Sequence, residues 1–236
     1  MNDAEKKSRG GVHSGHRQRL RQKYIENGLD ALSDHEVVEL LLFYCIPMRD
    51  VNELAHGILD EFGSLAALFE SGPADISRRT GLSEGAGVLF SLISAAYRRY
   101  ELARSGKRRK LTNAHAAGEY CVSLFIGEVS ECFYMLCLNS QRQHIKSVLL
   151  SRGTLAETAV YPRQVVQESI KNQAAYVIVS HNHPSGGLSP SKTDLDTTRI
   201  IVDALATIGV RVCDHIIVAG RNYVSFSEKR LLGLEY

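Results

Sequence analysis

A mixed α/β domain preceded by a small all-α domain is the architecture this sequence predicts. Three observations carry it. The first half shows helix-type apolar spacing with recognisable start and stop signals, and the second half alternates strand-like and helix-like stretches. Between them lies the basic, polar segment Ser105-Gly106-Lys107-Arg108-Arg109-Lys110. The expected organisation is a basic flexible tail over 1–15, a helical domain over 16–104, a linker over 105–111 and the α/β domain over 112–236.

In the first half, Ser33 with Glu36 forms a capping box before Val37, Val38, Leu40, Leu41 and Leu42. Asp50 with Glu53 offers a similar start, and Gly63 a stop. A longer helix, roughly 85–104, follows the turn Gly81–Gly87. In the second half a helix is expected from Thr112 to about Leu124, and a hairpin of 131–138 and 143–151 around Asn139-Ser140-Gln141-Arg142. A helix near 162–172 leads into the strand Ala175–Val179. A helix from about 190 to 208 then precedes a strand over Val210 to Ala219.

The 236 residues are 44% hydrophobic and 23% charged, ordinary for a globular protein. No run of about 18 apolar residues exists and the N-terminus is polar, so neither a membrane span nor a secretory leader is expected. Cys45, Cys121, Cys132, Cys137 and Cys213 are scattered without Cys-x-x-Cys spacing, which suits reduced, small hydrophobic residues in a cytoplasmic protein.

Net charge is only +2, but unevenly spread. Lys6, Lys7, Arg9, Arg17, Arg19, Arg21 and Lys23 crowd the first 24 residues. Arg98, Arg99, Arg104, Lys107, Arg108, Arg109 and Lys110 crowd 98–110. From 111 onward Lys plus Arg and Asp plus Glu balance at eleven each. Attraction to polyanions therefore belongs to the first half, and the balanced half lacks the basic groove of a nuclease.

The chemistry concentrates in Ser180-His181-Asn182-His183-Pro184-Ser185-Gly186-Gly187-Leu188-Ser189-Pro190-Ser191-Lys192-Thr193-Asp194. His181 and His183, two apart at a strand end, share one face. Pro184 stops the strand and Gly186-Gly187 turns the chain. Pro190 suits the first turn of the next helix with Ser189 as its cap, which leaves Ser191 and Asp194, three apart, on one helix face. A His-x-His pair alone is commonplace on strands. With the glycine turn and helix start it reads instead as a metal site: His181, His183 and Asp194 as ligands and a fourth position for water, the arrangement of a catalytic zinc.

This spacing, His-x-His, seven residues, Ser, two residues, Asp, resembles the JAMM signature of the JAB/MPN metalloprotease superfamily. With His-Asn-His-Pro-Ser-Gly and the later Asp214-His215 it resembles the RadC-like bacterial branch, over most of 112–236. The resemblance implies a cytidine-deaminase-like mixed sheet flanked by helices, one Zn2+ per chain on His181, His183 and Asp194, and Ser191 assisting at the oxyanion. It also implies an upstream glutamate as general base. Pattern position points to Glu131. The residues alone do not choose between it, Glu128 and Glu157.

The activity implied is metallopeptidase or isopeptidase, with a peptide or protein as substrate. Competing readings are a DNA repair-associated or DNA-processing protein, such as a metal-dependent nuclease, and a partner-binding module with a vestigial site. Asp214-His215, polar in an apolar strand, reads first as a hydrogen-bonded structural pair and second as support for a metal ligand. Thr80-Gly81-Leu82-Ser83-Glu84-Gly85-Ala86-Gly87 looks like a degenerate helix-hairpin-helix, with Ser83 in place of the usual second glycine and Ala86 at the usual basic position. The partner expected of this N-terminal half is DNA, weakly and without sequence preference.

Overall fold

The computed structural model describes residues 11–104, 109–153 and 161–236, so the expected linker lies largely outside the described residues, as does Glu157. The described chain forms two units, divided between Ser94 and Ala95.

The first unit is helical: α1 Gly11–Asn27, α2 Asp34–Cys45, α3 Asn52–Phe62, α4 Leu65–Glu70, α5 Pro73–Thr80 and the first part of α6 Glu84–Arg104. Helix α1 thus takes in residues expected to belong to the tail. Helix α2 starts on its capping box, the Glu36 carboxylate accepting from Ser33 N at 2.9 Å. Gly63 (φ 77°) ends α3 in the left-handed conformation. The expected start at Asp50 is corrected. The N-cap is Val51, and Asp50 Oδ1 accepts from Asn52 N at 3.0 Å in a local turn. Val38, Leu42, Ala55, Ile58, Leu68, Ile76 and Phe90 form the core, each fully buried side chain larger than alanine contributing about 1.5–3 kcal/mol. Gly87 lets α6 approach the start of α5, for a Cβ there would lie 2.4 Å from the Pro73 carbonyl.

The second unit carries α7 Ala114–Leu124, β1 Cys132–Leu138, β2 His144–Arg152, α8 Pro162–Lys171, β3 Tyr176–Asn182, α9 Lys192–Ala206, β4 Arg211–Ala219 and β5 Asn222–Ser225. The sheet order is β2-β1-β3-β4-β5; only β3 and β4 run parallel, joined by the α9 crossover. Three layers result. Helix α7 covers one face, packing Ala117, Cys121 and Leu124 on Leu136, Ile178 and Ile216. Helices α8 and α9 cover the other, packing Val165, Ile201 and Leu205 on Met135, Val177 and Val179. Burial on both sides explains why β1, β3 and β4 are near-continuous apolar runs.

One irregularity decides what faces what. Val177 pairs with Val212, but Ile178 pairs with Asp214, so Cys213 is an extra residue in β4. Every later β4 side chain changes face. Asp214 joins the α7 side, and His215 joins the α8/α9 side beside Val179. Among the described residues no helix is long and apolar enough to cross a membrane.

Candidate metal centre

Strand β3 delivers His181 to the α9 face, where its ring stacks on Phe133 (centroids 5.8 Å, planes 8° apart). His183 N continues the ladder to Val218 O at 2.8 Å. Beyond it the glycine turn folds back, Gly186 at φ 92°, and His183 Nδ1 donates to the Gly187 carbonyl at 2.7 Å. That contact fixes the His183 ring with Nε2 turned to His181.

Helix α9 supplies the third group, and here the expected cap is corrected. Ser191, not Ser189, is the N-cap. Its Oγ accepts from Asp194 N at 3.1 Å, while Asp194 Oδ2 accepts from Ser191 N and Oγ, both at 2.7 Å. A reciprocal capping box satisfies two orphan N–H groups at once, whereas Pro190 is equally at home in the extended segment before the cap. The box therefore wins, and it turns the Asp194 carboxylate towards β3.

His181 Nε2 and His183 Nε2 lie 2.9 Å apart; Asp194 Oδ1 lies 3.2 Å from the first and Oδ2 3.9 Å from the second. Ligands of a tetrahedral ion with bonds near 2.1 Å stand roughly 3.4 Å apart, so these separations bracket what a zinc-sized ion needs. His181 and Asp194 are 1% exposed and His183 13%, which leaves access from the His183 side. Oδ1 approaches His181 without a hydrogen bond. Among the described residues it is the one buried side-chain polar atom without a partner. Burial pushes the Asp194 carboxyl up, and the Ser191 N–H and hydroxyl donors at Oδ2 act against it. A buried carboxylate with an oxygen to spare, facing two imidazole nitrogens, fits a cation.

Glu128 is unsuited to proton transfer. It is 5% exposed and clasped by Arg98 and by Arg152, the latter at 2.7 Å. Burial raises its pKa, yet the two guanidiniums outweigh that and keep it lowered. Glu131 sits just before β1, half-buried, its carbonyl accepting from Gly153 N. Phe133 pairs with His181, so continuing this antiparallel register by two residues brings Glu131 level with His183.

Several residues of the centre were not singled out from sequence. Asn182, on the opposite face, accepts from Cys132 N at 2.7 Å and donates to the Ser130 carbonyl at 3.0 Å, tying the segment around Glu131 to the end of β3. Thr198 is fully buried, and its place after Ser191 and Asp194 at helical i, i+3, i+7 spacing was a readable signal. The pair Asp214-His215 divides: Asp214 is structural, while His215 Nε2 lies 2.7 Å from His181 Nδ1.

Residues 111–231 match the family described as the RadC-like JAB domain. The chain belongs to the RadC-like JAB family. Its curated relatives include the UPF0758 protein FN0909 of Fusobacterium nucleatum subsp. nucleatum, 33% identical over 227 residues covering 93% of this chain and 98% of that one. The UPF0758 protein PSHAa2643 of Pseudoalteromonas translucida is 37% identical over 215 residues, covering 91% and 96%. VP0184 of Vibrio parahaemolyticus is 35% identical over 210 residues, covering 89% and 93%. The relatives therefore match the helical half as well as the RadC-like JAB domain.

Proposed function

We propose that this chain is a zinc-dependent hydrolase of peptide or isopeptide bonds. The observation that carries the reading is Asp194 Oδ1, buried and unpartnered beside two imidazole nitrogens. His181 Nε2, His183 Nε2 and Asp194 Oδ1 would hold one Zn2+. When bound, zinc lowers the pKa of a coordinated water towards neutrality and polarises a carbonyl. The rest falls to the protein. Glu131 takes the proton of the attacking water and returns it to the leaving amine. Ser191, whose hydroxyl donates to Asp194 at rest, can turn to donate to the developing oxyanion. The five free cysteines suit a reducing, cytoplasmic setting.

The test is a comparison of wild type with His181→Ala and Glu131→Gln for bound metal, followed by screens against peptide, isopeptide and nucleic-acid libraries. We expect His181→Ala to lose metal. Glu131→Gln should keep it while amide turnover falls at least about 10²-fold. Phosphodiester cleavage by wild type that is lost in His181→Ala would replace this reading with a nuclease. Stoichiometric zinc without hydrolysis of any library would replace it with a binding module.

A further inference from the structure

The rings of His181 and His215 and the hydroxyl of Thr198 form a chain whose proton positions can be read from one end. Thr198 Oγ1 lies 2.5 Å from the Asp194 carbonyl, four residues back in α9. A carbonyl only accepts, so the single hydroxyl hydrogen is spent there. Towards His215 Nδ1, also at 2.5 Å, the same oxygen can only accept, and Nδ1 must carry hydrogen. His215 is 0% exposed, and its ring is wedged against Phe133 and Phe226 and hydrogen-bonds to no carboxylate among the described residues. As a neutral ring its Nε2 is then an acceptor, and the donor across the 2.7 Å contact is His181 Nδ1.

We propose that His215, oriented by Thr198, is a positioning residue that locks His181 in the Nδ1–H tautomer and so presents the His181 Nε2 lone pair to the metal site. The inference rests on the proposed metal centre only for the use made of Nε2; the lock itself follows from the hydrogen bonds. On the other ligand the Gly187 carbonyl does the same for His183. Two lone pairs thus face one another across 2.9 Å with no proton between them, beside an unpartnered carboxylate oxygen. That arrangement is costly in the free protein and is relieved by a cation. Without His215 nothing holds the proton on Nδ1, and the Nε2–H tautomer, which blocks the ligand atom, becomes accessible.

The lock is reached only because of the extra residue Cys213. An unbulged β4 would set Asp214 beside Val179, and His215 would point into the α7 layer.

The experiment uses the full chain, 15N-labelled and freed of metal with a chelator, with the His181 tautomer read from long-range 1H–15N imidazole spectra. Zinc affinity is measured in parallel by competition with a chromophoric chelator. Wild type should show His181 as Nδ1–H. His215→Phe should shift it towards Nε2–H and weaken zinc binding roughly 10–100-fold. His215→Gln, which restores an acceptor, and Thr198→Ser, which restores the hydroxyl, should both return towards wild type. Should His215→Phe fail to fold, Thr198→Val carries the test, with a smaller change of the same sign. Nε2–H in the wild type, or a tautomer and affinity indifferent to both positions, overturns the lock. Nδ1–H in a wild type that takes up no zinc leaves the lock standing and removes the metal reading instead.

Discussion

Asp194 and Asp214 are both buried carboxylates on the covered faces of one sheet, yet their surroundings are opposite. Asp214, on the α7 side, accepts from His215 N (2.8 Å), Ser225 Oγ (2.6 Å), Ser227 N (2.9 Å), Ser227 Oγ (3.0 Å) and Tyr236 OH (3.0 Å). Both oxygens are spoken for, and the contacts pin β5 and the last residue of the chain to β4. Asp194, on the α9 side, accepts at Oδ2 from its own capping box, and among the described residues Oδ1 has no donor. A buried acid surrounded by donors is architecture; one that keeps an oxygen aimed at two imidazoles is a site. The sequence offers both as an aspartate near apolar residues, and only the donor census separates them.

The largest effect that can break this comparison is on metal and turnover. Asp194→Asn should abolish stoichiometric zinc and lower amide hydrolysis by several orders of magnitude, read by metal analysis and peptide assays. Asp214→Asn should leave zinc stoichiometry at the wild-type level. A variant pair that loses metal equally would show the two acids to be equivalent.

Stability should reverse the order. Asp214→Ala strands several buried donors and should cost about 3 kcal/mol in denaturant unfolding of the metal-free protein. Asp194→Asn removes a buried, incompletely paired charge and should change metal-free stability by less than about 1 kcal/mol, in either direction. Zinc closes the gap on one side only. At a free concentration 100 times its Kd, it should add about 2.7 kcal/mol to wild type and nothing to Asp194→Asn. A destabilised Asp194→Asn apoprotein would mean that the Asp194 carboxylate is structural after all.

How much of this was legible beforehand follows from the range of each signal. The hairpin was readable because Asn139 sits where its Oδ1 can accept from Gln141 N and Gln143 N, a short-range device. The order of elements in the sheet domain was readable because buried strands and amphipathic helices differ in period. The convergence of His181, His183 and Asp194 was readable because a strand end, a glycine turn and a helix start are consecutive. What escaped depends on pairing at a distance. The bulge at Cys213 leaves no mark in composition, so nothing showed whether Asp214 or His215 would face His181. The two-arginine clasp on Glu128 joins residues from α6, the loop before β1 and the end of β2, and local spacing cannot show it. Strand β5, only four residues long and directly following Gly220-Arg221, was too short to stand out.

A half-buried polar group sharpens the comparison through its smallest expected effect. His144 lies tilted against Tyr120 and contacts its hydroxyl (3.3 Å) and Ser147 Oγ (2.9 Å), with no hydrogen bond to an acid among the described residues. Burial lowers its pKa from 6.5 to about 4. A base whose folded pKa is depressed stabilises the fold fully above its unfolded value, and that contribution fades as pH falls from 6.5 towards 4, because the unfolded chain takes the proton first. Between pH 7 and 5.5 the loss should be about 1 kcal/mol. His144→Gln keeps a polar partner for Tyr120 and Ser147 but cannot titrate. Urea midpoints of metal-free wild type and variant should therefore converge as the pH drops through this window, while every other histidine, the ligands included, cancels between them. Parallel pH profiles would show that the fold does not disfavour the charged form of His144.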